Sequence, residues 1–283
     1  MNPWLIAFLP MMGAGALCLL YGFFIEPHWI KTRKITITVT RDKPFYGKTV
    51  VFFSDIHVGP TTTPKKLERQ MRAIMAMKPD AIIFGGDLVE EPTPLRNEHF
   101  RLMVTSALST LQAPLGKWAI FGNHDVEAPR FRTWVTEALE ASGFTILENE
   151  GLELSGLPVW GFANTHHSLP LFDRNTLYGE SAEDKKDPYT LFLVHESDWF
   201  PDTMPANGPG LVLCGHSHHG QVTLFGLPLM RPAGGKRYWK GRYQLDSDLS
   251  LVVSAGLGTV HIHARFFARP DILFVVFGED LVS

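Results

Sequence analysis

Cysteine is scarce in this sequence of 283 residues, which has only Cys18 and Cys214. Two cysteines cannot build a disulfide scaffold or a cysteine-rich zinc module, so both classes of protein are excluded. Charge is scarce as well, because 19% of the residues are charged and the formal net charge is -3. A general nucleic-acid-binding protein has a strong basic excess, and we therefore expect no nucleic acid among the partners. Intrinsic disorder is excluded for most of the chain, since 45% of the residues are apolar.

The N-terminal segment has no charge before Glu26. Residues 4–25 form an uncharged run of 22 residues, and about 20 apolar residues span the hydrocarbon core of a bilayer. A buried soluble helix is one alternative, although such helices usually have a polar face. A cleavable signal peptide is another, but the basic segment and the small-residue cleavage site that it needs do not flank this run. We therefore predict an uncleaved membrane anchor in residues 1–30 and a single domain in residues 31–283.

Basic residues follow the apolar run, and none precedes it. They are Lys31, Arg33, Lys34, Arg41, Lys43 and Lys48. Because positively charged flanks stay on the cytoplasmic side, we expect a single-pass anchor in the bacterial inner (cytoplasmic) membrane, with the domain in the cytoplasm. The opposite orientation would place the domain in the periplasm.

Strands and amphipathic helices alternate in the first half of the domain. The apolar runs predict strands at residues 34–40, 49–54, 81–85 and 117–121, and helical spacing predicts helices at 63–77, 98–111 and 130–142. The second half has eight short predicted strands, at residues 145–147, 152–154, 159–162, 191–194, 211–214, 221–224, 249–254 and 272–277. This pattern predicts an α/β fold, a four-layer α/β/β/α sandwich in which two mixed sheets pack face to face between helices. The polar residues 164–188 are interpreted as a surface loop or a lid.

Five polar blocks directly follow apolar strands and contain five of the 12 histidines. They are Asp55-Ile56-His57, Gly85-Gly86-Asp87, Gly122-Asn123-His124-Asp125, His195 and Gly215-His216-Ser217-His218. Each residue alone is more often a cap, a turn residue or a core histidine, but five blocks in this order are not expected by chance. Ligands bind at the carboxyl ends of strands in α/β sheets, so we expect one shared site. Carboxylate, amide and imidazole ligands without thiolate suit Mn, Fe, Zn or Co, and Asp87 is the natural bridge between two ions.

The order of these blocks resembles the calcineurin-like metallophosphoesterase superfamily over residues 50–277. Within it, the chain is similar to a bacterial YkuE/YaeI-like branch, near the chlamydial-type UDP-diacylglucosamine pyrophosphohydrolases. Three positions depart from the branch pattern: His219 replaces a glycine, Ser217 a threonine and Asp271 a glutamate.

This resemblance implies a site with two divalent metal ions, of which Mn is expected and Fe, Zn or Co are alternatives. One ion would be held by Asp55, His57, Asp87 and His218, and the other by Asp87, Asn123, His195 and His216. His124 would be catalytic, contacting the phosphate and protonating the leaving oxygen. Asp125 or Glu90 is a candidate for orienting His124, and a helix cap is an equal alternative for Asp125. Scattered basic residues such as Arg265 and Arg269 are interpreted as solvated.

The predicted function is that of a membrane-anchored phosphohydrolase that cleaves a phosphodiester or pyrophosphate bond by metal-activated hydroxide. The anchor favours a lipid or a lipid-linked nucleotide, such as UDP-diacylglucosamine in lipid A synthesis, as the substrate. A general phosphodiesterase, a protein phosphatase, a periplasmic envelope hydrolase and a catalytically dead membrane-tethered binding module are the alternatives.

Overall fold

The apolar N-terminal run forms one long helix in the computed structural model, which describes residues 3–179, 187–204 and 208–279. Helix α1 (Pro3–Leu20) continues through a π-helical turn (Tyr21–Ile25) and a 3-10 turn (Glu26–His28). Within the described ranges, Pro10–His28 is the one helical stretch that is long and apolar enough to cross a membrane, with a mean hydropathy of 1.2. The predicted N-terminal apolar helix is therefore present, and its composition makes it a candidate anchor.

The first sheet combines five strands from the first half of the chain with the C-terminal strand. The strands are β1 (Lys31–Thr38), β2 (Thr49–Phe53), β3 (Ala81–Phe84), β4 (Lys117–Ala119), β5 (Thr145–Ile146) and β14 (Asp271–Gly278). They are arranged in the order β1-β14-β2-β3-β4-β5, and all neighbours are parallel except β14 and β2.

The second sheet contains six strands from the second half. They are β6 (Glu150–Leu154), β7 (Leu157–Gly161), β8 (Thr190–Val194), β9 (Gly210–Cys214), β12 (Gly241–Asp246) and β13 (Leu249–Val253). Their order is β12-β13-β9-β8-β7-β6, with four parallel inner strands between two antiparallel edges. A separate hairpin is formed by β10 (Thr223–Leu224) and β11 (Leu227–Pro228).

Three long helices cover the first sheet, and short helices lie among the loops. The long helices are α2 (Pro64–Met75), α3 (Glu98–Ser109) and α5 (Pro129–Ala141), and the short ones are α4 (Asn123–Val126), α6 (Arg174–Tyr178) and α7 (Phe200–Thr203). Helix α2 begins where the side chain of Thr63 accepts the N–H of Lys66, followed by a proline in the first turn. Helix α3 begins where the side chain of Asn97 accepts the N–H of Phe100. These caps satisfy N–H groups that the first turn of a helix leaves unpaired.

Alternate residues of β2 divide the core into layers. Phe52 packs in the apolar core between the two sheets, whereas Phe53 packs against the helices that cover the first sheet. This follows from the period of two along a strand, and burial of each ring contributes about 1.5–3 kcal/mol. A third, aromatic cluster around Trp160 and Phe200 covers the outer face of the second sheet, where α6 and α7 are short.

The α/β architecture with two packed mixed sheets is therefore confirmed. The edge strand β12 (Gly241–Asp246) was not predicted, because its sequence is rich in polar residues and resembles that of a loop. The predicted strand at residues 221–224 forms only the two residues of β10. Residues 180–186 of the predicted loop or lid lie outside the described residues, and closure of this segment stays a prediction.

Candidate metal centre

The five polar blocks meet at the edge of the sandwich where β2, β3, β4, β8 and β9 end. His195 directly follows β8, and Asp55 and Asp87 lie two and three residues beyond the ends of β2 and β3. The ligand atoms form three overlapping groups, and the atoms of each group lie within 4.8 Å of one another. The groups are Asp55, His57 and His218; His57, Asp87 and His124; and Asp87, His195 and His216. The structure therefore brings the predicted imidazoles and carboxylates together, with Asp87 shared between two groups.

The closest ligand atoms point into a common space. Nε2 of His195 lies 3.1 Å from Oδ2 of Asp87, and Nε2 of His57 lies 3.6 Å from the same oxygen. The Nε2 atoms of His57 and His218 are 3.0 Å apart, and the latter is 3.5 Å from Oδ1 of Asp55. Convergence of nitrogen and carboxylate oxygen atoms on one space is the geometry that a cation requires of its ligands.

Three of the imidazoles are oriented by backbone carbonyl groups. The pairs are His57 Nδ1 with the carbonyl of Val89 at 3.2 Å, His195 Nδ1 with that of Gly85 at 2.8 Å, and His216 Nε2 with that of Ala233 at 2.7 Å. Because a carbonyl only accepts, the bonded ring nitrogen is the one that donates, and in a neutral ring the opposite nitrogen then has a lone pair. Metal-binding histidines are commonly fixed in this way.

Five of the site residues have left-handed backbone conformations although none is glycine. Their φ angles are +53° for Asp55, +47° for His57, +59° for Asp87, +69° for His216 and +50° for His218. Such a conformation costs of the order of 1–3 kcal/mol per residue and persists where the surrounding structure enforces it. These five residues aim ligand atoms into the site, so part of the backbone strain of the molecule lies at the site itself. Sequence reasoning cannot detect it, since these residues ordinarily adopt other conformations.

Burial and neighbouring charges together determine the ionisation of the site. Burial raises the pKa of Asp55 to about 6 and lowers the pKa of His57 to about 3. Burial opposes ionisation of Asp87 as well, but the charge and hydrogen bond of His195 bring its pKa well below the usual value. His57 is therefore uncharged at neutral pH and its contact with Asp87 is not an ion pair. Neutral imidazole and ionised carboxylate are the forms that bind metal ions.

Asn123 provides the test of whether a metal fits. Its Oδ1 atom is buried and has no hydrogen-bond partner in the described part of the chain. A buried polar atom without a partner is unfavourable, and an amide oxygen is a good ligand for a divalent cation. The donor set and this unsatisfied oxygen therefore fit divalent metal binding.

Asp125 acts on the backbone of the site. Its carboxylate accepts the N–H groups of Asp87 at 2.7 Å, Leu88 at 2.8 Å, Val89 at 3.3 Å and Gly122 at 2.9 Å. Of the two roles left open by the sequence, the contacts favour the cap of α4 over the orientation of His124. The same carboxylate also fixes the loop that presents Asp87, a role that the sequence did not suggest.

Replacement of Asp125 by asparagine is expected to lower the free energy of unfolding by about 1–3 kcal/mol, because buried N–H groups lose their acceptor. We also expect metal affinity to fall about 10- to 100-fold, as for other groups that orient a ligand. Chemical denaturation and metal titration measure the two effects. The control is Asp42→Asn at an exposed position. A variant with unchanged stability would contradict the assigned role.

Arg265 corrects an expectation from the sequence, since it is fully buried rather than solvated. Its guanidinium donates to the carbonyl groups of Ala255, Gly258 and Ala268, and it lies 3.3 Å from Nδ1 of His218. Burial lowers its pKa to about 10, so the group remains charged at neutral pH. It fixes the 255–268 loop beside one of the site histidines.

Glu26 was missed by sequence reasoning as well. It is fully buried, and its carboxylate accepts the N–H groups of Phe267 at 2.8 Å and Ala268 at 2.5 Å. The segment after α1 is thereby attached to the same loop as Arg265. In the sequence, Glu26 is a charged residue directly after an apolar run, and this position did not indicate that its carboxylate is buried.

The departure at His219 has a backbone explanation. Its φ of +52° lies in the left-handed region, where glycine is favoured and histidine is strained. The imidazole is buried, and its Nε2 atom lies 2.9 Å from the carbonyl oxygen of Val253. This hydrogen bond fixes the imidazole of His219 against the end of β13 in the second sheet.

The fold, the overlapping ligand groups and the strand-end positions define a metallophosphoesterase. Residues 48–278 match the family model of the calcineurin-like phosphoesterases, and the chain belongs to this family of metal-dependent hydrolases. It is 34% identical over 258 residues to the metallophosphoesterase YkuE of Bacillus subtilis, covering 89% of this chain and 87% of that protein. It is 26% identical over 261 residues to Phosphodiesterase YaeI of Escherichia coli, covering 89% and 90%. The predicted superfamily and bacterial branch are confirmed.

The name of a more distant relative mentions a membrane. This relative is the Transmembrane protein with metallophosphoesterase domain of Bos taurus, 25% identical over 239 residues. The match covers 79% of this chain and 51% of that protein.

Proposed function

We propose that the chain is a membrane-anchored phosphohydrolase with a dinuclear metal site, in which residues 31–283 form the catalytic domain. The observation that carries the proposal is the sharing of Asp87 between two groups of ligand atoms. In the proposed assignment Asp55, His57, Asp87 and His218 hold one ion, and Asp87, Asn123, His195 and His216 hold the other. When bound, two divalent ions lower the pKa of water and neutralise negative charge on phosphoryl oxygens. Manganese is the proposed metal.

His124 is the proposed general acid. Its side chain is 21% exposed, and its ring centroid lies 5.1 Å from that of His57. Its backbone N–H donates to Oδ1 of Asp87 at 2.9 Å, which ties the start of α4 to the site. At this border between the buried ligands and solvent, the imidazole can contact a phosphate and give a proton to the leaving oxygen.

The proposed substrate is a phosphodiester or pyrophosphate, and the name of YaeI as a phosphodiesterase supports this class. The apolar helix favours a substrate at the bilayer, such as UDP-diacylglucosamine. We propose residues 1–30 as the anchor, and the name of the bovine relative as a transmembrane protein supports a membrane location. Contacts of Glu26 with the 267–268 backbone keep this anchor in direct contact with the catalytic domain.

The proposed function is tested by metal analysis and a substrate screen of the purified full chain. We expect about two ions per chain and Mn²⁺-dependent hydrolysis of an aryl phosphodiester or of UDP-diacylglucosamine. Absence of hydrolysis of every phosphoester by the metal-loaded protein would contradict the proposal. Hydrolysis of the aryl phosphodiester alone would support a phosphodiesterase activity and exclude UDP-diacylglucosamine as the substrate.

Metal removal is expected to lower the melting temperature, because the buried carboxylates of Asp55 and Asp87 then lack compensating charge. Thermal unfolding in detergent, before and after chelation, measures the shift. Returning Mn²⁺ should restore both the melting temperature and activity. A chelated protein with an unchanged melting temperature and full activity would exclude a resident metal site.

The proposed location is the inner membrane, with the catalytic domain in the cytoplasm. A C-terminal alkaline phosphatase fusion is therefore expected to be inactive, since that enzyme requires the periplasm for its disulfides. A fusion to a fluorescent protein that matures in the cytoplasm serves as the matched reporter. Active phosphatase would reverse the orientation and favour an envelope hydrolase.

A further inference from the structure

The β10–β11 hairpin presents apolar side chains to the exterior. Its exposed side chains are Leu224 at 57%, Phe225 at 87%, Leu227 at 73%, Leu229 at 71% and Met230 at 74%. The segment 224–230 contains no charged residue. Single exposed apolar residues are common on soluble proteins, but a continuous patch of this kind marks a surface that another apolar body covers.

The tip of the hairpin displays an aromatic ring in a strained conformation. Phe225 and Gly226 connect the paired residues Leu224 and Leu227, with φ angles of +49° and +85°. Turns with two positive φ angles prefer asparagine, aspartate or glycine at the first position. A phenylalanine there is both conformationally unfavourable and exposed, and stability of the isolated domain does not account for it.

The base of the hairpin lies against the apolar helix. Val222 pairs with Phe266, whose ring packs edge-on against Tyr21 at 5.8 Å. Val222 and Phe266 also line an apolar groove of about 400 Å³ together with Gly15 and Cys18 of α1. Gly15 precedes Tyr21 by six residues, about 9 Å along a helix, so the contact extends along the candidate anchor. The exposed patch is therefore continuous with the helix that is proposed to enter the membrane.

The chain around the hairpin carries an excess of basic residues. Residues 203–245 contain no aspartate or glutamate and five basic residues: Arg231, Lys236, Arg237, Lys240 and Arg242. Of these, Arg237 is paired with Asp202. Arg231 and Lys240 lie over the ring of Trp239, at 5.9 and 5.7 Å from its centroid. Basic residues are attracted to anionic headgroups, and tryptophan is enriched at membrane interfaces.

We propose that the β10–β11 hairpin is a second membrane contact, which inserts the Phe225 tip into an anionic lipid surface beside α1. This inference rests on the anchor of the proposed function and is independent of the metal chemistry. The hairpin connects His218 to Ala233, whose carbonyl orients His216, so its position is coupled to the candidate metal centre. Insertion would hold that centre at the headgroups, where an amphiphilic phosphoester can be cleaved while its apolar part stays in the bilayer.

Site-directed spin labelling of the full chain in vesicles of phosphatidylethanolamine and phosphatidylglycerol tests this contact. Labels are placed by Phe225→Cys at the tip, Leu17→Cys in the helix and Leu102→Cys at an exposed leucine of α3. Exposed Cys18 is replaced by alanine, and buried Cys214 is kept because it is inaccessible to the reagent. Collision with oxygen, which concentrates in lipid, is compared with collision with a water-soluble nickel chelate.

Position 225 is expected to resemble position 17, with a several-fold higher ratio of oxygen to nickel accessibility than position 102. A lipid environment at position 17 with an aqueous one at 225 would overturn the hairpin contact and leave the anchor intact. An aqueous environment at both would overturn the anchor as well. Dipolar broadening between labels at 225 would identify a second copy of the chain as the occupant and also overturn the lipid contact.

Discussion

Replacement of Asp87 by asparagine should reduce kcat about 10³-fold or more and lower the metal content of the purified protein. The carboxylate belongs to two of the overlapping ligand groups, and its Oδ2 atom lies 3.1 Å from Nε2 of His195. Asparagine has nearly the same shape but lacks the negative charge that two cations would share. Loss of several kcal/mol of charge stabilisation corresponds to a rate effect of this size. Steady-state kinetics with Mn²⁺ and elemental analysis measure the two outcomes.

The matched control for this substitution is Asp202→Asn. Asp202 forms an exposed ion pair with Arg237 at 2.9 Å, and such pairs contribute little to stability. We expect wild-type kinetics and metal content for this control. An Asp87→Asn variant with two bound ions and full activity would show that Asp87 is not a metal ligand.

Replacement of His124 by asparagine should lower kcat about 10²- to 10⁴-fold while metal content stays unchanged, as expected for loss of a general acid. The backbone N–H of residue 124 would still donate to Asp87, so the arrangement of the start of α4 is retained. The loss should depend on the leaving group. It should be large for an alkyl ester, whose leaving oxygen needs a proton, and small for a nitrophenyl ester, which leaves without one.

Comparison of the two esters separates proton donation from metal binding. His124 lies in one candidate ligand group with His57 and Asp87, so loss of an ion from the variant would assign it as a ligand. Equal losses on both esters would also contradict the role of general acid. The exposed residue His99 on α3 provides the control His99→Asn, for which no change is expected.

Much of the candidate site could be predicted from sequence because its residues follow buried strands. The apolar residues of β2 and β3 indicate strands locally, and Asp55 and Asp87 follow within three positions of their ends. The carboxyl ends of parallel strands meet at one edge of a sheet, so residues that follow different strands come together there. The local strand pattern was therefore enough to predict which residues share the site. The positions of the helices that cover the first sheet were predicted for the same reason, since their apolar spacing is regular.

Other features depend on contacts between distant parts of the chain. Glu26 accepts hydrogen bonds from residues more than 240 positions away, and β14 enters the sheet between β1 and β2. Arg265 has the sequence context of a surface residue, and only the carbonyl groups that converge on it explain its burial. Local patterns carry no information about such pairings. The left-handed conformation of His57 and its neighbours is likewise imposed by the packed structure.

The central place of β14 has a consequence for folding during synthesis. This strand is C-terminal to every other described strand, yet eight of its residues pair with β1 and four pair with β2. Until the ribosome has released β14, neither β1 nor β2 can pair with it. The strand edges that β14 would occupy stay unpaired, and such edges invite aggregation. The first sheet can therefore close only after translation is nearly complete, and truncation within β14 should yield an aggregating or rapidly degraded chain.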